Sequence, residues 1–263
     1  MTRYRAVLTG ASGGIGRAIA IALAPSCDTL LLVGRNAARL AETAAAAGPA
    51  TRTLVADLHT PAGREAVAQL SGNANLLINN AGAGDFAWLA DQSDTTLARI
   101  VETNVLAPMQ LTRRLLPLLG RQPEAWIVNM GSIFGYLGYP GHAAYCASKF
   151  ALRGFSEALR RELADGPVRV LYLAPRATRT AMNGSALCAL NAELGVAMDD
   201  PAVVARALLR LLRRPARERL LGMPERLFAP INQLLPGVVD RALRRQLSTI
   251  RRHAPAPADG GSS

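Results

Sequence analysis

The sequence predicts a doubly wound parallel α/β sheet with helices on both faces, in a single domain, and three observations carry that prediction. Short apolar runs alternate with longer stretches of helical periodicity from residue 4 to residue 222. The runs are apolar at nearly every position rather than at every second one, as strands covered on both faces are. A glycine-rich turn follows the first run directly, and right-handed crossovers between successive runs then wind helices onto both sides of the sheet.

The elements follow in order. Residues 4–9 (YRAVLT) read as the first strand and 15–24 as the first helix. Strand 29–33 leads to helix 36–47, strand 51–56 to helix 61–70, and strand 75–79 to one long helix over 94–119. Strand 125–130 is followed by a Gly/aromatic loop and a helix over 144–163. Strand 168–173 precedes an irregular stretch, a helix over 201–213 and a short strand at 219–222. Ligands in such a sheet bind outside the carboxyl ends of the strands. Those ends carry Gly10–Gly16, Gly34–Arg35, Asp57, Asn80–Gly82 and Ser132.

Composition narrows the function. The 263 residues are half hydrophobic and 19% charged, which excludes a disordered or fibrous chain and suits one large core. Cys27, Cys146 and Cys188 are odd in number and far apart, which argues against a disulfide framework or a Cys/His metal site and for a reducing cytoplasm. No leader-type apolar segment opens the chain, and no run reaches membrane-spanning length. The net charge of +11 is concentrated: residues 201–263 hold 12 Arg against 4 acids, so the body is near balance and offers no nucleic-acid footprint. Of the 30 basic residues 29 are arginine, and the one lysine is Lys149. That count suggests a position where a slim ammonium serves and a planar guanidinium does not.

Thr9-Gly10-Ala11-Ser12-Gly13-Gly14-Ile15-Gly16 joins the first strand to the first helix. Glycines there admit a pyrophosphate to the backbone, and the helix N-terminus offers free N–H groups and the positive end of its dipole. The same residues match the G-x-S-x-G elbow of a hydrolase using Ser12. That elbow belongs after several strands and needs a late acid and histidine, and His59, His142 and His253 lack a triad context. At the end of the second strand, Gly34-Arg35-Asn36 replaces the acid that would hold a ribose 2′-hydroxyl with an arginine suited to a 2′-phosphate, which points to NADP(H).

Tyr145 and Lys149 are four residues apart and share a helix face. An ammonium beside a phenol is expected to lower the phenol's pKa, so that Tyr145 exchanges a proton with a substrate oxygen. Ser132, at a strand end, donates to the same oxygen. His142, three residues before Tyr145, reads as a loop residue near the pocket rather than a second acid.

With TGASGGIG at 9–16, Asp57, NNAG at 79–82, Asn104 in ETNVLAP, Ser132 in NMGSIFG and YCASK at 145–149, the chain resembles the classical short-chain dehydrogenases/reductases over about residues 4–222. The resemblance implies a Rossmann-type fold and a catalytic tetrad of Asn104, Ser132, Tyr145 and Lys149. In that tetrad Tyr145 is the general acid/base, Lys149 also holds the nicotinamide ribose, Ser132 polarises the carbonyl and Asn104 holds a water in a proton relay. It implies cofactor contacts from Gly10, Ser12, Gly14, Ile15 and Gly16 in the turn. Arg35 and Asn36 follow at the second strand, with Asp57 and Leu58 at the adenine. Asn80, Ala81 and Gly82 would line the cofactor cleft, and Pro175, Thr178 and Thr180 would lie by the nicotinamide. The family's usual glycine after Pro175 is Arg176 here.

The expected activity is NADPH-dependent reduction of a carbonyl, or the reverse oxidation of an alcohol, by a cytoplasmic homo-oligomer. The mostly apolar stretch 181–200 suggests a lipophilic substrate such as a 3-oxoacyl thioester, a steroid-like ketone or a fatty aldehyde. A non-catalytic NADP(H)-binding or scaffold protein is the alternative, and the intact tetrad argues against it. Residues 223–253 read as an add-on broken by Pro224, Pro230 and Pro236, and 254–263 as a disordered tail. After Pro236, Val239, Ala242, Leu243, Leu247 and Ile250 form an apolar helix face, with Arg241, Arg244, Arg245, Arg251 and Arg252 opposite. That face packs on the protein, or else lies on an anionic membrane.

Overall fold

The chain lays down strands β1 (Tyr4–Thr9), β2 (Cys27–Gly34), β3 (Thr51–Val55), β4 (Leu76–Asn79), β5 (Ala125–Met130), β6 (Val168–Ala174) and β7 (Glu218–Leu220). They form one sheet in the order β3-β2-β1-β4-β5-β6-β7, every neighbouring pair parallel. The structure, a computed structural model, describes residues 3–223 and 225–255. Met1, Thr2, Pro224 and residues 256–263, which include most of the expected tail, lie outside the described residues.

The central strands are buried along their length, as the unbroken apolar runs require. On one face, α1 (Gly14–Leu23) and α8 (Pro201–Arg213) bury Ile19, Leu23, Val204, Leu208 and Leu211 against Leu8, Leu30, Leu32, Ile78 and Val128. On the other, Leu111, Leu115 and Leu159 pack on Val7, Leu31, Leu77, Ile127 and Val170. Those side chains come from α5 (Ala107–Leu119) and α6 (Ala143–Glu162), with Val67 of α3 (Pro61–Leu70) beside them. The remaining crossover helix, α2 (Ala37–Ala47), is capped at its N-terminus by the Asn36 side chain, which accepts from the Arg39 N–H at 2.9 Å.

Between α3 and α5 the single helix read over 94–119 is corrected. It divides into α4 (Asp94–Val101) and α5, joined by a π-helical turn over Glu102–Leu106. The widened turn carries Asn104 inward, where it is 1% exposed. Polar side chains also cross the apolar sheet at one place. The Asn79 amide donates to Asn129 Oδ1 (2.8 Å) and Thr112 Oγ (3.1 Å), and Asn129 donates to Ser156 Oγ (2.8 Å).

The stretch read as irregular holds a helix, α7 (Ser185–Glu193), and the stretch expected to be broken into short pieces holds α9 (Glu225–Leu234), which runs through Pro230. The last helix, α10 (Pro236–His253), packs its apolar side onto the protein. Val239 and Ile250 are buried, and Leu243 and Leu247 are partly so. Ala242, expected on that side, is exposed, since it falls at the margin of the stripe. Ile250, fully buried, meets Leu190 of α7 and Phe86. Arg252 and His253 both pair with Glu193, and the Arg251 guanidinium lies 5.1 Å from the Trp88 ring centre. Among the described residues no helix is long and apolar enough to cross a membrane.

Ile250 thus joins α10 to α7. Removing its side chain in Ile250→Ala is expected to cost about 2–5 kcal/mol at that joint. Amide hydrogen exchange is then expected to speed up in α7 and α10 while β1 and β4 stay protected. Unchanged exchange in α7 would refute the joint.

Candidate active site

Four chain segments converge at the carboxyl ends of β1, β4, β5 and β6. The first is the glycine turn. The Gly13 N-cap of α1 supplies no side-chain bond, so the first N–H groups of the helix keep their donors for something else. Gly16 must lack a side chain, because a Cβ there would strike the Gly10 carbonyl and Ala11. The turn is held from β4: Asn80 donates its side-chain amide to the carbonyls of Thr9 (3.0 Å) and Gly10 (3.2 Å), and the N–H groups of Asn80 and Ala81 both donate to Thr9 Oγ at 3.0 Å. Asn80 and Ala81 therefore act on the turn itself. Thr9, their partner, was missed in the sequence, although its place directly before Gly10 marks it.

The second segment is the π-turn. Asn104 donates to the Ala83 carbonyl (2.7 Å) and to Ser148 Oγ (2.9 Å) and accepts from the Ala83 N–H (2.8 Å). Both its amide hydrogens are used, so its side chain has no donor left for a water. Gly82 lies alongside, with Asn104 Oδ1 3.4 Å from where its Cβ would be. Ser148 in turn donates to the Tyr145 carbonyl (2.7 Å), a link inside YCASK that spacing alone does not reveal.

The third segment is α6. Lys149 is 5% exposed, and its Nζ donates to the Met130 carbonyl at 3.0 Å, 5.6 Å from the centre of the Tyr145 ring. Tyr145 is partly buried and meets Phe134 edge to face at 6.2 Å. Ser132, at the end of β5, opens a short helical turn by accepting from the Phe134 N–H. The expected lowering of the Tyr145 pKa is corrected. Burial pushes the phenol up to about 12, the Ser132 hydroxyl pulls it the other way by hydrogen bonding, and Cys146 adds a smaller upward push. Lys149 is itself pushed down to about 8 by burial. Desolvation, which spacing along a helix cannot report, outweighs the pairing.

The fourth segment follows β6. Thr178 donates to the Arg176 carbonyl (2.9 Å), and Thr180 faces Gly14 across the turn. Arg176 pairs with Asp199 at 2.8 Å and forms part of the cleft wall. Ile15, Ser132, Tyr145, Pro175, Thr178 and Thr180 all border one cleft of about 380 Å³, within the size range of small-molecule sites. Asn104 and Lys149 lie outside its wall. Met182 and Leu187 close it from the α7 side, and Pro255 reaches it from the end of α10.

The remaining expected cofactor residues stand at the far end of the same sheet edge. Gly34 is buried against Ser12 and Leu40, and Arg35 is exposed at the end of β2. Asp57 accepts from the His59 N–H at 3.1 Å, and the Leu58 carbonyl accepts from Arg64. The hydrolase alternative loses its base, since no histidine stands by Ser12. His59 meets Asp57 and Thr103, His253 meets Glu193, and His142 is on the Tyr145 side.

Comparison with known proteins agrees with this arrangement. The sequence profile of the family described as short chain dehydrogenase matches residues 5–189. The chain is 31% identical over 267 aligned positions to dehydrogenase/reductase SDR family member 7B of Bos taurus, covering 94% of this chain and 82% of that one. It is 30% identical to the ketoacyl reductase HetN of a Nostoc species, covering 93% and 89%. Among solved structures, a short-chain dehydrogenase from Streptomyces avermitilis superposes with a TM-score of 0.79 at 27% identity, covering 95% of this chain and 98% of that one. The 3-ketoacyl-(acyl-carrier-protein) reductase of Brucella melitensis, complexed with NADH, superposes at 0.76 with 25% identity, covering 84% and 97%.

Proposed function

The chain belongs to the short-chain dehydrogenase family, and from that premise we propose that it is an NADPH-dependent reductase of a carbonyl group on a lipophilic substrate. The observation that carries the reading is the convergence of Tyr145 and Ser132 on one cleft that also borders Ile15 of the glycine turn, with Lys149 buried beside Tyr145.

The cofactor fits the residues present. The tight glycine turn, closed against its own backbone at Gly16, and the free N–H groups at the start of α1 suit a pyrophosphate. Gly10, Ser12, Gly14 and Ile15 would complete that end, Pro175, Thr178 and Thr180 the nicotinamide end, and Asp57 and Leu58 the adenine end. When bound, the nicotinamide supplies a hydride. In the reduction, Ser132 Oγ donates a hydrogen bond to the carbonyl oxygen and Tyr145 Oη transfers its proton there. A phenol held at about 12 stays protonated at neutral pH, so Tyr145 carries the proton that the reduction needs. Lys149 would hold the ribose and, at about 8, is able to pass a proton back to Tyr145. Asn104, its side-chain donors spent, would serve a relay water through its main chain in the π-turn. Phe86, Phe134 and Met182 on the wall suit an apolar substrate body.

Arg35 supports NADPH over NADH, since its exposed guanidinium is free to meet a 2′-phosphate. We expect kcat/KM for NADPH to exceed that for NADH by at least about tenfold, and Arg35→Asp to move the ratio toward NADH by about a hundredfold, as the loss of a charge-assisted bond and a new repulsion imply. Equal values for the two cofactors in the unsubstituted protein would refute it. Turnover of 3-oxoacyl thioesters, steroid-like ketones and long-chain aldehydes, followed as NADPH oxidation, tests the activity itself.

A further inference from the structure

We propose that His142 binds a second oxygen of the substrate. This rests on the reductase reading of the same cleft and narrows its substrate class to ketones bearing another oxygen function one carbon removed from the reacting carbonyl.

His142 borders the cleft and is 5% exposed; the Asp85 main chain comes near enough to its ring to counter part of the effect of burial, yet neither ring nitrogen makes a hydrogen bond of good geometry among the described residues. Leaving two polar atoms buried and unpaired is costly, and native sites that do so commonly reserve them for a ligand. The ring's position is built. Gly141 takes the left-handed φ of +79°, and a Cβ there would meet the Phe86 ring at 2.6 Å. Phe86 stacks on the imidazole at 5.1 Å and Phe134 lies tilted over it at 5.2 Å. The Gly141 carbonyl accepts from the Ala87 N–H at 3.0 Å, tying this turn to the loop that carries Phe86.

The Tyr145 ring is 6.1 Å away, edge on at 61°. With the ring centres this close, one small substrate reaches both rings, and a pair of oxygens on carbons in a 1,3 relation is the compact arrangement that offers one oxygen to each at ordinary hydrogen-bond lengths. A lone carbonyl held at Tyr145 and Ser132 leaves the imidazole unsatisfied. Burial also favours the neutral ring, which presents one donor and one acceptor and so accommodates a carbonyl or a hydroxyl.

The test uses the full chain, NADPH and two isosteric probes, ethyl 3-oxohexanoate and 4-nonanone, of which only the first has the second oxygen function. His142→Phe keeps the aromatic stack and removes both nitrogens, and His142→Asn retains a donor and an acceptor. We expect His142→Phe to lower kcat/KM for the oxoester by about tenfold to a hundredfold and for 4-nonanone by less than about threefold, with His142→Asn in between. Independently of turnover, the imidazole ¹⁵N signals of His142 in the unsubstituted protein with NADP⁺, assigned by their loss in His142→Asn, are expected to shift with the oxoester and not with 4-nonanone. A selective shift without turnover of either probe keeps the His142 assignment and refutes the reductase reading. Equal losses on both probes, or shifts that do not discriminate between them, overturn the inference.

Discussion

Tyr145→Phe is expected to reduce kcat by about 10²–10⁴-fold, the contribution of a positioned acid, while the Kd for NADPH changes by less than about threefold. The substitution removes one hydroxyl and leaves the ring where it is, edge on to Phe134 and His142. No residue bordering the cleft replaces the lost donor. Ser132 has a hydroxyl but no comparable acidity, and His142 is pushed down to about 4 by burial, so at neutral pH it is the neutral imidazole, a hydrogen-bond donor but not an acid that can give up its proton. Stopped-flow NADPH oxidation and a fluorescence titration of NADPH binding measure the two quantities separately. Substantial turnover by the folded Phe protein would remove Tyr145 from the chemistry.

Lys149→Arg is expected to be nearly as damaging, although it keeps the charge. The Lys149 ammonium donates to the Met130 carbonyl from a position 5% exposed, beside Tyr145. A guanidinium is wider, has five donors to satisfy, and cannot shed its proton near neutral pH. Burying it there leaves donors unpaired and fixes a charge that Lys149, pushed down to about 8, can give up. We expect kcat to fall by at least about a hundredfold and the thermal midpoint to drop by several degrees, about 1–3 kcal/mol of stability for each buried donor left unpaired. Lys149→Met, apolar and slim, is expected to regain the stability without the activity. An active Arg protein would make the lone lysine an accident of composition.

That lysine illustrates how far the sequence could be read. A solitary Lys149 four residues after Tyr145, downstream of a glycine turn, already points to the two side chains that the structure brings together on α6 and that we propose react, because helical spacing is a local property. The strands are equally legible, since burial on both faces writes itself as unbroken apolar runs. What stayed hidden depends on contacts between distant segments. The π-turn at Glu102–Leu106 adds a residue to a helical turn without disturbing the apolar pattern enough to be noticed. Helix α7 was passed over because its apolar residues do not gather on one face, and α9 because Pro230 argues against a helix. The Tyr145 pKa went the other way because the walls that desolvate it come from β5, α6 and the loops around the cleft.

A sheet whose strands are apolar on both sides has a weakness that alternating strands lack. Sliding such a strand past its neighbour still presents hydrocarbon to hydrocarbon, so oil alone discriminates poorly between alignments. Asn79 and Asn129 stand opposite each other in β4 and β5, and their amides are linked to Thr112 and Ser156 of the covering helices. Any slip strands these amides in a dry interior, at a penalty of about 1–3 kcal/mol for each group left unpaired. The four side chains work as a key cut for one alignment. Because Asn80 and Ser132 follow closely on β4 and β5, the same key keeps the hand that grips the glycine turn level with the hand proposed to meet the substrate.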